Sequence, residues 1–524
     1  VSSCAIPDQE EAFEQPNILF ILSDDHAYQA ISAYDTTLIQ TPNLDRIAQE
    51  GILFLNASVT NSICAPSRAT ILTGKHAHLH GKIDNLSPFD TSQVTFPMLF
   101  QNAGYQTAMF GKLHFGNAPK GVDDFMILPG QGHYINPDFI NTSGERVRIE
   151  GYTTDIITDL TLDWLDKKRN PNQPFLMMYM HKAPHRAWWP RSDKFKTFAR
   201  RTFPEPPSLF DDYYTRGTGA RTAEMNILDH MLLSYDCKVL PSAVDSLGII
   251  PDPRDKNLFN GNDFYRTNED QRVAYQEMVD SITRIFLEQW PNMDDKAKMR
   301  WKYQRYIQDY LACIESVDEN VGRVLDYLEK EDLAENTIVI YLSDQGFYLG
   351  EHGWFDKRFM YEESFKTPLM MRWPQHISPG IKSEALVQNL DLAPTILEAA
   401  GIAIPEDMQG QSMLPLFDDQ SKAWDRDAAY YHYYEYPAEH SVKRHYGIRT
   451  KDYKLIHFYY DVDEWELYDL KNDPRELNNV YDIASYANVV KDLKLKLAQV
   501  REKYKDSSDL DQKFIEAYLN DLEK

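Results

Sequence analysis

Short continuous apolar runs, each closed by polar residues able to do chemistry, recur along this chain. Asn17-Ile18-Leu19-Phe20-Ile21-Leu22 ends at Ser23-Asp24-Asp25. Thr107-Ala108-Met109-Phe110 leads into Gly111-Lys112-Leu113-His114, and Phe175 to Met180 leads into His181-Lys182-Ala183-Pro184-His185. Thr337 to Leu342 leads into Ser343-Asp344-Gln345-Gly346. Apolar runs of this length without alternation read as parallel strands buried on both faces. Helical periodicity lies between them, over Asp155 to Asp166 and from about Lys296 to Lys330. Thr41-Pro42-Asn43-Leu44-Asp45 is a helix start with proline in the first turn. Alternating strands and helices predict an α/β fold, a mostly parallel sheet flanked by helices. Ligands of such sheets bind outside the carboxyl ends of the strands, so the four polar ends are expected to converge.

Two stretches differ in texture. Ala187 to Trp290 is rich in Arg, Asp, Tyr and Pro with weak periodicity and reads as an insertion on the catalytic face. Beyond Trp424, the segments His445 to Arg449, Tyr453 to Phe458 and Trp465 to Leu470 are short strands between charged turns, an antiparallel sheet. A closing amphipathic helix is predicted from about Ser485 to Tyr504. The chain thus divides into a tether (1–15), a catalytic domain (16–424, with the insertion at 187–290) and a smaller C-terminal α+β subdomain (425–524).

Composition narrows the function. A chain of 524 residues that is 43% hydrophobic can bury more than one core. No apolar run approaches the roughly 20 residues that span a bilayer. A net charge of −25 argues against nucleic acid or an anionic membrane as partner. It is compatible with a small anionic substrate held by local cations. Four cysteines, Cys4, Cys64, Cys237 and Cys313, are too few for a disulfide scaffold, and pairing of Cys237 with Cys313 stays open. Val1-Ser2-Ser3-Cys4 resembles the end of a bacterial lipoprotein signal. Cys4 is therefore a candidate lipid anchor, and export to the periplasm or cell surface is expected.

The most specific string is Cys64-Ala65-Pro66-Ser67-Arg68, continued by Leu72-Thr73-Gly74. A lone cysteine at a helix start is ordinarily a small buried residue. That reading leaves the in-register Pro, Ser, Arg and Leu-Thr-Gly unexplained. The string resembles the C-x-P-S-R…L-T-G signature of the formylglycine-dependent type I sulfatases. The resemblance implies an alkaline-phosphatase-like fold and oxidation of Cys64 by a maturation enzyme to formylglycine, whose hydrate is the nucleophile.

The remaining motifs fall in the same order. Paired carboxylates after strands suit a hard divalent cation. Four oxygen-bearing side chains at two strand ends favour calcium, with magnesium as the alternative, and the family holds calcium at positions matching Asp24, Asp25, Asp344, Gln345 and residue 64 itself; Gln345 stands where Asn is most frequent. Arg68 is implied to ion-pair with the modified side chain or a metal ligand. Gly111-Lys112-Leu113-His114 resembles the segment in which Lys112 neutralises sulfate oxygens and His114 holds the hydrate. Ala183-Pro184-His185 resembles the segment of the sulfate-binding histidine, with His181 as runner-up. Lys357, thirteen residues after Asp344, is implied to bridge the sulfate and the leaving group. His352 reads as a structural hydrogen-bonding residue.

The implied reaction is hydrolysis of a sulfate monoester on a carbohydrate through a covalent sulfo-enzyme, with His185 or Lys357 protonating the departing sugar oxygen. The motifs resemble bacterial glycosaminoglycan sulfatases such as N-acetylglucosamine-6-O-sulfatases. N-Acetylglucosamine 6-O-sulfate is thus the expected substrate, with 2-O-sulfated uronate and 6-O-sulfated galactosamine or galactose open. The run Tyr430 to Pro437 with His440, Arg444 and His445 is a candidate sugar contact and equally a packed interdomain seam. Two rivals of other classes are a phosphatase or phosphodiesterase of the same superfold, and a sulfated-glycan binding lipoprotein with a dead site.

Overall fold

The computed structural model describes residues 15–418 and 424–522. The proposed lipid anchor Cys4 and all but the last residue of the tether lie outside the described residues. In chain order the strands are β1 (Asn17–Ser23), β2 (Ile52–Ser58), β3 (Gln106–Lys112), β4 (Asp124–Leu128), β5 (Asp138–Asn141), β6 (Arg146–Arg148), β7 (Phe175–Met180) and β8 (Thr337–Ser343). They continue with β9 (Tyr348–Leu349), β10 (Phe355–Asp356), β11 (Leu369–Arg372), β12 (Ile381–Gln388), β13 (Ala429–Tyr433), β14 (His445–Arg449), β15 (Tyr453–Phe458) and β16 (Glu464–Asp469).

Ten of them form one mixed, mostly parallel sheet in the order β12-β2-β11-β8-β1-β7-β3-β4-β5-β6. At its centre β8, β1, β7 and β3 run parallel, in registers such as Leu22 opposite Leu342 and Met180. These are the four strands with polar C-terminal ends, and their adjacency brings those ends side by side.

Their unbroken apolar character follows from burial on both faces. Ile18, Phe20 and Leu22 join Met178 and Ile340 in one layer, with the Cys64–Thr73 and Leu392–Ala399 helices. Leu19 and Ile21 join Met177 and Tyr341 in the other, against the Pro42–Gln49, Thr153–Asp163 and Asp295–Lys330 helices. The period-2 geometry of a strand splits its side chains between the layers.

The second sheet, β13-β14-β15-β16, is antiparallel. One face (Tyr430, Ile448, Leu455, Leu467) packs on Leu493 and Leu497 of the Ala487–Lys503 helix. The other (Tyr431, Tyr433, Ile456, Phe458, Tyr468) packs on Trp354, Phe359, Tyr361 and Phe365 from the loops beyond β8. The tyrosine-rich run is therefore a packed seam, with alternate rings entering the two cores.

Two of the long helices were not expected. Glu269–Gln289 closes the 187–290 segment. Its signals were present: an Asn268/Gln271 capping box and Val279, Ile282 and Phe286 at helical spacing. Ser508–Leu522 follows the Ala487–Lys503 helix and buries Ile515 and Tyr518. Cys64, Cys237 and Cys313 are free thiols. Among the described residues no helix is long and apolar enough to cross a membrane.

Candidate active site

Cys64 opens a ten-residue helix, Cys64–Thr73, that is buried at every position. Pro66 is tolerated in the first turn, where the missing N–H costs no helical hydrogen bond. Gly74 ends the helix at φ 65°, a conformation glycine adopts without strain. Residue 64 thus sits at the positive end of the helix dipole, which favours negative charge. Ser67 and Arg68, one turn on, tie the helix to the strand ends. Ser67 Oγ donates to the Asp344 carbonyl and accepts from Asn389 Nδ2 at 2.9 Å. Arg68 Nε donates to Asp344 Oδ2 at 2.9 Å, its Nη1 donates to the Lys112 carbonyl, and its Nη2 lies 3.7 Å from Asp24 Oδ1.

Around the thiol stand the other strand ends. Cys64 Sγ is 3.4 Å from Asp24 Oδ1, 3.5 Å from Lys357 Nζ, 3.8 Å from Gln345 Nε2 and 3.9 Å from Lys112 Nζ. Lys112 pairs with Asp24 and donates to Gln131. Lys357 donates to both oxygens of Asp25, at 2.6 and 2.7 Å. His185 Nε2 lies 3.7 Å from Asp25 Oδ2, and its Nδ1 is 2.6 Å from the Arg186 carbonyl oxygen. His114, at φ 65°, has a buried Nδ1 without a hydrogen-bond partner.

The crowding shifts most of the carboxyl, imidazole and thiol groups here. Burial would raise the Asp24 carboxyl, but the charges of Lys112, Arg68 and Lys357 together hold it well below the usual range. Burial, then the Asp24 charge, pushes Asp344 up to about 8. Burial also raises Asp25, against the pull of Lys357. The ammonium of Lys357 is favoured far above its ordinary value because, against its burial, Asp25 and the further anions around it, Asp356 and Asp24 among them, together prevail. Burial and Lys112 push His114 down to about 2 and lower His185 as well, so both rings are neutral. Burial and Asp24 push the Cys64 thiol up to about 12. An unmodified thiol is therefore protonated at neutral pH and is a poor nucleophile.

Asp24, Asp25 and Asp344 bring carboxylate oxygens within 4.8 Å of one another, as do the ligand atoms of Asp24, Cys64 and His185. Gln345 Oε1 is buried there without a hydrogen-bond partner. Three converging carboxylates and an orphaned amide oxygen are an all-oxygen donor set, which fits a hard divalent cation.

Beside this cluster lies a cleft of about 410 Å³, lined by Asn85, His185, Asp356, Lys357, Arg358 and Glu435 among others. Asp356 Oδ2 is 3.1 Å from His440 Nε2, and Asp356 also pairs with Arg358, whose Nε has no hydrogen-bond partner. Asp356 and Arg358 were missed in the sequence; their only signal was that they flank Lys357.

None of the proposed sugar contacts lines the cleft; His440 reaches it only through Asp356, and its Nδ1 is 2.7 Å from the Glu224 carbonyl oxygen. His445 Nε2 accepts from the Met360 amide at 3.2 Å, and its ring stacks on Phe359 inside the seam. Arg444 is buried, donating to the Tyr436 carbonyl and lying over the Tyr518 ring. His181 packs edge-on against Tyr179, within the layer of the long Asp295–Lys330 helix. For His445, Arg444 and His181, strand alternation or the turn after the strand aims the side chain into a core.

The geometry has counterparts among known proteins. Residues 16–402 match the family model described as Sulfatase, and residues 350–503 match that of the N-sulphoglucosamine sulphohydrolase C-terminal region. The chain belongs to the sulfatase family. As a sulfatase it is a sulfuric ester hydrolase. It is 49% identical over 516 residues to an N-acetylglucosamine-6-O-sulfatase of Bacteroides thetaiotaomicron, covering 97% of this chain and 90% of the relative. It is 28% identical over 442 residues to the Homo sapiens N-acetylglucosamine-6-sulfatase, covering 79% of this chain and 66% of that protein. A solved structure of a protein in complex with its substrate D-glucosamine-2-N,6-O-disulfate superposes with a TM-score of 0.90 at 48% identity, covering 95% of this chain and all of that one.

Proposed function

We propose that the sulfatase removes the 6-O-sulfate of N-acetylglucosamine units in glycosaminoglycan fragments, using a formylglycine at position 64 and calcium. The observation that carries the substrate is the 49% identity, over 97% of this chain, to an N-acetylglucosamine-6-O-sulfatase. The cleft supports it: Asp356 and Arg358 offer a carboxylate and a guanidinium beside Lys357, a set suited to sugar hydroxyls, with His440 beside Asp356.

Asp24, Asp25, Asp344 and Gln345, with residue 64, would hold calcium, which supplies positive charge for the sulfate oxygens. Oxidised by a formylglycine-generating enzyme, residue 64 would supply a hydrate oxygen to attack sulfur and a second hydroxyl whose deprotonation expels sulfate. Lys112 and Lys357 clamp the sulfate oxygens and offset charge repulsion as the nucleophile approaches. Arg68 keeps Asp344 and Asp24 oriented. Lys357, whose ammonium the site favours, delivers a proton to the leaving sugar oxygen, so no free alkoxide forms; His185, neutral and with its Nδ1 turned to the Arg186 carbonyl, takes that role only once the bound sulfate has drawn a second proton onto its ring. His114 Nδ1 has no partner and is free to accept the proton when the hydrate breaks down, once the sulfate charge offsets the Lys112 repulsion that keeps the ring neutral.

The test is sulfate release from purified protein, shown by mass spectrometry to carry formylglycine, offered N-acetylglucosamine 6-sulfate. Turnover that vanishes in Cys64→Ala supports the reading. No turnover by fully modified protein rejects this sugar and moves the assignment to 2-O-sulfated uronate or 6-O-sulfated galactosamine. Loss of turnover in chelator, restored by calcium, tests the metal.

A further inference from the structure

A second chamber, of about 340 Å³, adjoins the cleft; Gln131, His185 and Arg186 line both. Its walls hold two donors to which the protein supplies no acceptor. Lys182 is 3% exposed, yet among the described residues its ammonium makes no hydrogen bond or ion pair and rests 4.7 Å over the Tyr134 ring. Asn262 is 5% exposed, and its Oδ1 accepts from the Phe264 amide at 2.9 Å. That bond fixes the amide with Nδ2 free, and Nδ2 has no hydrogen-bond partner.

The acidic groups nearby are already engaged. Asp236 is held by Arg186 through two contacts of 2.8 Å. Asp263 accepts the backbone amides of Tyr134 and Ile135. A buried N–H with no acceptor is costly, a cation facing the chamber has no counter-charge within reach, and an incoming anionic oxygen would satisfy both. Burial pushes Lys182 down only to about 8, so it carries its charge at neutral pH.

We infer that this chamber is a second anion subsite, in which Lys182 and Asn262 Nδ2 receive a sulfate or carboxylate group carried elsewhere on the glycan. The inference rests on the reading of the substrate as a 6-O-sulfated glucosamine. Two sources share the required chemistry: an N-sulfate on the same sugar, or the carboxylate of a neighbouring uronate.

The experiment compares kcat/KM of formylglycine-containing wild type, Lys182→Met and Lys182→Arg on two substrate pairs. One pair is glucosamine 6-sulfate bearing an N-sulfate or an N-acetyl group. The other is a 6-O-sulfated disaccharide whose uronate is free or methyl-esterified. The expected result is a preference for the anionic member in one pair, cut about tenfold in Lys182→Met and kept in Lys182→Arg. The neutral member of that pair should change less than about twofold, and the pair affected names the source. Wild type with no preference in either pair overturns the inference, whether or not the variants fold. An undiminished preference in folded Lys182→Met also overturns it. Absence of 6-O-sulfate turnover on all four substrates sinks the substrate reading instead.

Discussion

Replacing Lys454 with Met should destabilise this sulfatase severely although the residue lies outside the reaction. Lys454, on β15, is wholly buried, with Nζ 2.9 Å from Glu362 Oε1 and 2.7 Å from Glu476 Oε1. Glu476 also accepts the Glu362 amide at 2.6 Å. The cluster thereby fastens the small sheet to the end of the loop that begins at Gln345 and carries Lys357. Burial would raise the Glu362 carboxyl, but Lys454 and Arg449 hold it far below the usual range; Glu476 is pushed up to about 7 by burial despite Lys454. Without the ammonium, two desolvated carboxylates face each other, and one must take up a proton or draw in water. Removing one partner of a buried ion pair costs about 3–5 kcal/mol. Urea unfolding at neutral pH measures the loss. Adding Glu476→Gln to Lys454→Met removes one stranded charge, and a double-mutant cycle should return a coupling of about 0.5–3 kcal/mol. A Lys454→Met protein within about 1 kcal/mol of wild type, or strict additivity in the cycle, would refute the reasoning.

Other predictions follow from the same structure. His352 is pushed up to about 9, because Asp211 and Glu363 outweigh its burial. Its folded value stands above the ordinary one, so its stabilisation is complete below pH 6.5 and is lost as pH rises through 9. That loss is roughly 3 kcal/mol; urea unfolding at the two ends of the window should show it in wild type and not in His352→Gln. Calcium at a hundred times its Kd should stabilise wild type by about 2.7 kcal/mol and leave Asp344→Ala unchanged; thermal melting with and without calcium checks this. Lys112→Met should lower kcat by roughly 10²–10³, the scale of losing one preorganised charge contact, with formylglycine content verified by mass; a kcat within threefold of wild type would remove Lys112 from the clamp.

Much of this protein could be read from local sequence. The unbroken apolar runs at Ile18–Leu22, Phe175–Met180 and Ile338–Leu342 specify strands buried on both faces, because no solvent-facing alternation interrupts them. Their polar ends at Asp24, Lys112, His185 and Asp344 could be expected to meet, since parallel strands deliver their carboxyl ends to one edge. The Cys64–Gly74 string carried the family because each residue has a local duty: a proline tolerated in the first turn, a glycine at the cap, and an arginine one turn on.

Only the tertiary structure decided the rest. Whether His445 and the tyrosines face sugar or core depends on which way each strand turns its alternate side chains, and packing against Trp354 and Phe359 settles that. Asp356 and Arg358 become cleft residues only when the loop beyond β8 meets His440 from a segment far along the chain. The free ammonium of Lys182 is likewise invisible in sequence, because an unpaired charge is a statement about every neighbour in space. Local sequence specified strands, helix ends and the reactive motif. Long-range packing determined which charges are paired, which are stranded, and which face the substrate.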